Sequence, residues 1–223
     1  MVSADQIMKV FFDVDGVLID GWHVDPTLRK PWDVNLKEDL GIDREALERN
    51  LFNPRVDGLD APMLACIKGR LDLKEVLAPI LRDLGFQEPV DRFLAYWFEK
   101  DSNVNIGVLH VVDRLRERRD VAVYIATGQE HHRAAYIWRD LGFNERFEEM
   151  FYSADLGLAK DGAAFFQEIN RRLAIEDDEQ PLFFDDRPNV VEAAREAGWD
   201  AHVFRNISDL TGNPRITALL RDD

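Results

Sequence analysis

Cysteine, basic residues and long apolar runs are all scarce in this sequence. Cys66 is the only cysteine among 223 residues, so neither an intrachain disulfide nor a cysteine metal site can form. No apolar run is long enough to span a membrane. The net charge of −15 argues against nucleic acid and anionic membranes as partners. The first nine residues lack the basic-then-apolar pattern of a secretion signal, so we expect a cytoplasmic protein.

What the sequence does contain is an apolar run that ends in two carboxylates. Residues 10–12 are typical of a buried strand of a parallel sheet, and Asp13 and Asp15 follow directly. Gly16 then allows the backbone to turn. Ligands of open α/β sheets bind just beyond the carboxyl ends of the strands, so the pair lies where chemistry usually occurs. An ordinary polar strand end followed by a turn would use the same residues. The pair alone does not distinguish a functional site from such a strand end.

Two regions with different periodicity make up the rest of the chain. Residues 17–105 show helical periodicity and no convincing buried strand. Beyond them, strands are predicted at 121–126, 150–153, 181–184 and 201–204, and helices at 108–118, 130–141, 161–173 and 188–197. This alternation predicts an α/β fold with a doubly wound parallel sheet. We expect a Rossmann-like core of residues 1–16 and 106–223, with an α-helical cap of residues 17–105 inserted after the first strand.

A second apolar strand also ends in carboxylates, Asp185 and Asp186. Strand ends on one edge of a parallel sheet can converge, and carboxylates crowded together shift each other's pKa values. A hard cation resolves this repulsion, and oxygen ligands without His or Cys suit Mg²⁺. One of the two acids could instead cap the helix that begins at Pro188, but a single cap leaves the other acid unexplained.

Two further residues follow the remaining strands. Thr127 closes the strand at 121–126 and Gly128 comes next, so a hydroxyl and backbone N–H groups could bind phosphate oxygens there. Lys160 precedes the helix at 161–173. Each feature is weak alone, because Thr-Gly is a common turn and a lysine before a helix is usually exposed.

Taken in order, these residues resemble the four motifs of the haloacid dehalogenase (HAD) superfamily, especially its phosphatases with a small helical cap (subfamily I). Residues 13–17 resemble the first motif, Thr127 the second, Lys160 the third and Asp185-Asp186 the acidic fourth. The chain departs from the family pattern at two positions: Gly128 replaces an asparagine after Thr127, and Asp161 replaces a proline after Lys160.

The resemblance implies a magnesium-dependent phosphatase that hydrolyses a small phosphorylated metabolite through an aspartyl-phosphate intermediate. Asp13 would be the nucleophile and Asp15 the general acid and base. Thr127, Gly128 and Lys160 would bind the phosphoryl group. Thr127 and Lys160 would also be catalytic residues, with Lys160 neutralising charge on Asp13 and the phosphate. The implied magnesium ligands are Asp13, the backbone carbonyl of Asp15, Asp186 and, in or near the shell, Asp185.

Substrate contacts from the cap are harder to assign. Lys68 and Arg70 flank Gly69 and could reach a substrate, as could Trp22 and His23 just past the catalytic turn. Each of these is equally explained as a surface or packing residue.

Three other functions use similar residues. A phosphomutase acting on a sugar phosphate needs the same groups and differs in transferring the phosphoryl group to a second hydroxyl. A 2-haloacid dehalogenase needs the nucleophilic aspartate, but neither magnesium nor a second acid at the position of Asp15. A phospho-receiver module also combines acids, Thr and Lys, but its acidic pair precedes its phosphoacceptor, and it carries no helical insert.

Overall fold

The structure is a computed structural model that describes residues 7–20, 30–53 and 60–221. Its strands are β1 (Met8–Phe12), β2 (Val121–Thr127), β3 (Met150–Tyr152), β4 (Leu182–Asp185) and β5 (Asp200–Val203). Its α-helices are α1 (Leu36–Leu40), α2 (Arg44–Leu51), α3 (Pro62–Ile67), α4 (Leu73–Asp83), α5 (Val90–Lys100), α6 (Ile106–Arg116), α7 (His131–Ala135), α8 (Ser153–Leu156), α9 (Ala163–Arg172), α10 (Pro188–Glu196), α11 (Ile207–Thr211) and α12 (Pro214–Arg221). A π-helix (Tyr136–Asp140) and a 3₁₀ helix (Phe143–Glu145) complete the set.

The five strands form one parallel sheet in the order β3-β2-β1-β4-β5. The chain moves outward from β1 through β2 to β3, and then crosses to the other side of β1 to form β4 and β5. The gap between β1 and β4 is therefore the switch point, where ligands of such sheets bind. The predicted α/β fold with a doubly wound parallel sheet is confirmed.

Helices cover both faces of this sheet, which explains why its central strands are apolar throughout. Phe12 packs in a cluster with side chains of α6 and α12, whereas Phe11 packs on the opposite face with side chains of α9 and α10. Both phenylalanines have no exposed surface. Rigid packing of β1 on both sides fixes the position of the carboxylates that follow it.

The helices α1 to α5 bury an apolar cluster of their own. Asp43 and Asp72 cap α2 and α4, because their side chains accept hydrogen bonds from N–H groups of the first turn. Residues 17–19 pack with the sheet rather than with this cluster, and Ile19 pairs with Val104, where the chain returns from the insert. The division into a core of 1–16 and 106–223 and a cap of 17–105 stays a prediction.

Two parts of the secondary structure differ from expectation. The predicted helix at 130–141 is α-helical only over α7 and continues as the π-helix, where the N–H of Leu141 donates to the carbonyl of Tyr136. Apolar spacing cannot distinguish one wide turn from a regular helix. In addition, no helix was predicted at α11 or α12, which pack against α6. Among the described residues, no helix combines the length and apolarity needed to cross a bilayer.

Candidate active site

Three carboxylates converge at the switch point of the sheet. Asp13 follows β1, Asp185 is the last residue of β4, and Asp186 comes next. The N–H of Asp13 donates to the carbonyl of Phe184 at 3.0 Å, which holds the two strand ends side by side. One oxygen of each carboxylate lies within 4.8 Å of the other two. The two acidic strand ends therefore meet, as the sequence predicts.

Lys160 lies between two of these acids. Its Nζ is 2.5 Å from Oδ1 of Asp13 and 2.5 Å from Oδ2 of Asp185. The side chain is only 1% exposed, and an ammonium so deeply buried needs carboxylate partners. Lys160, in the segment between α8 and α9, is thus a buried cation in contact with the acidic cluster. It is not exposed, as a lysine before a helix usually is.

The acidic cluster is short of positive charge. Burial, reinforced by repulsion from Asp185, raises the pKa of Asp13 to about 8 although Lys160 opposes the shift. Burial acts in the same direction on Asp185, but the charge and hydrogen bond of Lys160, together with the N–H of Arg187, lower its pKa. Among the described residues, the Lys160 ammonium and the Arg187 guanidinium, whose charge also lowers both pKa values, do not balance three carboxylates. An all-oxygen donor set with this imbalance fits a hard divalent cation such as Mg²⁺.

Asp15 lies at the edge of the site, with its side chain 45% exposed. Gln129 Nε2 donates to its Oδ2 at 2.5 Å, and Arg133 Nη2 lies 3.6 Å from its Oδ1. Both donors come from the segment that follows β2. Gln129 occupies the position after Gly128, so an amide reaches the site one residue later than in the family pattern. The predicted contact between the carbonyl of Asp15 and a metal stays a prediction.

Gly16 is required by the turn that presents these acids. Its φ is +88°, a conformation that side chains with a Cβ rarely adopt. A Cβ at this position would lie 2.6 Å from Cγ of Asp186. The turn and the fourth-motif carboxylate therefore approach as closely as they do only because no side chain separates them.

A cavity of about 180 Å³ opens onto the acids. It is lined by Asp13, Asp15, Thr127, Gly128, Asp186 and Arg187. The cavity is large enough for several water molecules or a small group of similar size. Thr127 is the last residue of β2 and is buried, with Lys160 packed beside Gly128. The structure thus brings the polar residues of the four predicted motifs together at this edge of the sheet.

Among the described residues, those of the predicted cap that were suggested as substrate contacts do not line this cavity. Lys68 Nζ is 3.1 Å from Oδ2 of Asp60, and Arg70 pairs with the same carboxylate. Neither residue lines the 180 Å³ cavity. Gly69 between them packs against the carbonyl of Ala154 at the start of α8. Substrate binding by Lys68 and Arg70 stays a prediction. Trp22 and His23 lie outside the described residues.

Two arginines at the site were not predicted from the sequence. Arg187 lines the cavity and directly follows Asp186 in the sequence. Its position next to a predicted metal ligand was the one sign in the sequence that it could reach the site. Arg133 is buried and contacts Asp15 from α7. Its position within a predicted helix gave no indication that it approaches the site.

The raised pKa of Asp13 predicts a stability effect in the absence of metal. In the unfolded chain Asp13 ionises near its ordinary value of 3.8, whereas in the folded protein it ionises near 8. Folding is therefore penalised progressively between about pH 4 and pH 8, and not further above that range. We expect Asp13→Asn to be more stable than the natural protein at pH 8 in EDTA by up to about 5 kcal/mol, since one pKa unit corresponds to about 1.4 kcal/mol.

Thermal unfolding at pH 5 and pH 8 measures this effect. The stability advantage of Asp13→Asn should shrink at pH 5 and upon addition of Mg²⁺. Asp140→Asn, which removes an exposed carboxylate, is the matched control and should show no such dependence. A destabilised Asp13→Asn at pH 8 in EDTA would contradict the charge imbalance.

The fold and the site define a doubly wound α/β protein with an acidic, cation-fitting centre at its switch point. A family model for haloacid dehalogenase-like hydrolases matches residues 7–198, so this chain belongs to that family of enzymes. The superfamily resemblance seen in the sequence is confirmed. No curated protein sequence matches the chain.

Several solved structures share the fold at low sequence identity. A HAD family enzyme from Bacteroides thetaiotaomicron is 20% identical, with a TM-score of 0.68, and the match covers 89% of this chain and 93% of that chain. A 2-haloacid dehalogenase from Pseudomonas syringae is 20% identical over 96% and 99% of the two chains (TM-score 0.59). A candidate β-phosphoglucomutase from Thermotoga maritima is 20% identical over 92% and 91% (TM-score 0.53). The same fold thus occurs in proteins whose names indicate different activities.

Proposed function

We propose that this protein is a magnesium-dependent phosphatase that hydrolyses a small phosphate monoester through an aspartyl-phosphate intermediate. The observation that carries the proposal is the pairing of two differently placed acids on one turn. Asp13 is buried within the charged cluster, whereas Asp15 faces the cavity and is half exposed. One carboxylate can thus act on phosphorus while the other exchanges a proton with a leaving group or water.

In the first step, an oxygen of Asp13 attacks phosphorus and the bond from phosphorus to the ester oxygen breaks. Asp15, in its protonated form, gives its proton to that leaving oxygen, so an alcohol departs. Thr127 and the N–H groups after β2 bind the phosphoryl oxygens, and Lys160 offsets negative charge on Asp13 and the phosphate. Bound Mg²⁺ would favour the ionised form of Asp13 and stabilise the charge that develops on the phosphoryl oxygens.

In the second step, water attacks the phosphorus of the aspartyl-phosphate. Asp15, now a carboxylate, takes a proton from this water, and the bond from phosphorus to the Asp13 oxygen breaks. Inorganic phosphate leaves and Asp13 is regenerated as a carboxylate. Asp15 is protonated once more, so both acids end the cycle as they began it.

Two considerations favour phosphoryl transfer over dehalogenation. Dehalogenation needs no proton donor at the position of Asp15. It also has no use for a third carboxylate, that of Asp186, beside Asp13 and Asp185. The related Bacteroides enzyme was crystallised with magnesium and inorganic phosphate. The acidic balance of the chain and the small cavity support a small metabolite, rather than a nucleic acid or a membrane, as the partner.

A phosphate-release screen tests the proposal. Sugar phosphates, nucleotides and small organic phosphates are incubated with the protein in Mg²⁺ and in EDTA. We expect phosphate release from at least one class of ester, and only in the presence of Mg²⁺. In Asp13→Asn the rate of release should fall by about 10³-fold or more, because the nucleophile is gone. Asp140→Asn is the matched control, since it removes a carboxylate from the surface.

Each outcome of the screen decides between functions. Release that persists in Asp13→Asn, or no release from any class, would contradict the phosphatase proposal. Isomerisation of a sugar phosphate without release would identify the phosphomutase alternative. A parallel assay with 2-haloacids in EDTA completes the test, since chloride release there would identify the dehalogenase alternative.

A further inference from the structure

Arg133 is a buried arginine that belongs to none of the four motifs. It lies in α7, four residues after Gln129, and is 4% exposed. Burying a guanidinium is costly unless its donors are paired. The groups that pair with the Arg133 guanidinium therefore indicate its role.

One set of partners belongs to the end of the helical insert. Arg133 Nη1 donates to the carbonyl of Phe98 at 3.2 Å and to Oγ of Ser102 at 3.1 Å, and Nη2 donates to the carbonyl of Asp101 at 2.5 Å. Phe98 lies in the last turn of α5, where carbonyls lack partners within the helix and carry partial negative charge. Arg133 thus binds the segment by which the chain leaves α5 and returns towards α6.

The guanidinium also lies near two carboxylates, that of Asp101 at 3.7 Å from Nη2 and that of the first-motif acid, Asp15. Arg133 Nη2 lies 3.6 Å from Oδ1 of Asp15, while Gln129 holds Oδ2 from the other side. Each oxygen of Asp15 therefore faces a donor from the segment after β2. The same guanidinium nitrogen contacts both Asp15 and the carbonyl of Asp101, so one group joins the acid to the end of the insert.

We propose that Arg133 is a positioning residue that sets the orientation of Asp15 for proton transfer and makes that orientation depend on the position of residues 98–102. The proposal rests on the proposed function, because it assigns Asp15 the role of proton donor. A planar guanidinium with donors in a fixed fork is needed to reach these partners together, and a lysine has a single nitrogen for the same contacts.

Leaving-group dependence separates positioning from a purely structural role. p-Nitrophenolate is a stable anion and departs with little need of a proton, whereas phenolate departs with more help from one. The two phosphate esters are otherwise alike in shape. A poorly oriented Asp15 therefore slows phenyl phosphate more than p-nitrophenyl phosphate, while a general loss of folded or well-packed protein slows both equally.

The experiment compares kcat/KM for p-nitrophenyl phosphate and phenyl phosphate in Mg²⁺, with thermal unfolding recorded for every variant. For Arg133→Met we expect a loss about tenfold larger on phenyl phosphate than on p-nitrophenyl phosphate. Arg133→Lys should recover part of this difference, and Ser102→Ala, which removes one partner on the insert side, should show a smaller change in the same direction. Arg139→Met removes an exposed arginine from the adjacent π-helix and should leave the ratio of the two rates unchanged.

Equal losses on both esters in Arg133→Met would overturn the proposal and leave only a structural role. Should Arg133→Met fail to fold, a ratio unchanged from the natural protein in both Arg133→Lys and Ser102→Ala would overturn it as well. Failure of the proposed function is seen separately, because the unsubstituted protein would then release no phosphate from either ester or from any substrate of the screen. That result would also remove the basis of the present proposal.

Discussion

Lys160→Met is expected to remove nearly all phosphatase activity and to destabilise the protein at the same time. The ammonium lies 2.5 Å from both Asp13 and Asp185, and its loss leaves two buried carboxylates facing each other. Breaking a buried ion pair by removing one partner typically costs about 3–5 kcal/mol. We expect a stability loss of that order at pH 8 in EDTA, measured by denaturant unfolding.

The activity loss should be about 10³-fold in kcat, because an electrostatic group at the reacting centre is typically worth that much. The stability loss should shrink at pH 5, where the carboxylates can take up protons instead of repelling each other. Lys37→Met, which removes an exposed lysine in α1, is the matched control. A Lys160→Met protein as stable at pH 8 as the natural one would show that the lysine does not compensate the acids.

Much of this site could be predicted because its residues follow strands. Asp13, Thr127 and Asp185 each end an apolar run, and the carboxyl ends of parallel strands share one edge of a sheet. Once alternation of strands and helices established a parallel sheet, these side chains had to lie near one another. The position of a strand end is a local property of the sequence, and the convergence follows from topology.

The contacts that cross from the insert to the core could not be predicted in this way. Arg133 meets Phe98 and Asp101, which precede it by 35 and 32 residues, and no local pattern encodes that distance. Lys68 and Arg70 were similarly ambiguous, because their pairing with Asp60 spans α3, with the carboxylate before the helix and the two cations after it. Residues whose partners come from a different part of the fold carry no periodic signature of their function.

The second large effect is expected for Asp15→Asn, which retains the shape of the side chain but cannot exchange the proton. kcat/KM for phenyl phosphate should fall about 10²–10⁴-fold, the usual contribution of general acid catalysis. The loss on p-nitrophenyl phosphate should be smaller, because its leaving group needs little protonation. The buried cluster of Asp13, Asp185 and Lys160 is untouched, so thermal stability should change little.

The same variant should also separate the two chemical steps. With p-nitrophenyl phosphate, Asp13 can still be phosphorylated, but water is no longer deprotonated efficiently in the second step. Rapid-quench measurements should therefore show a burst of about one p-nitrophenolate per enzyme followed by slow turnover, with aspartyl-phosphate accumulating. Asp140→Asn should show neither the burst nor the slow phase. If Asp15→Asn hydrolyses both esters at the natural rates, Asp15 is not the acid and base, and the distinction between phosphoryl transfer and dehalogenation at this site loses its principal support.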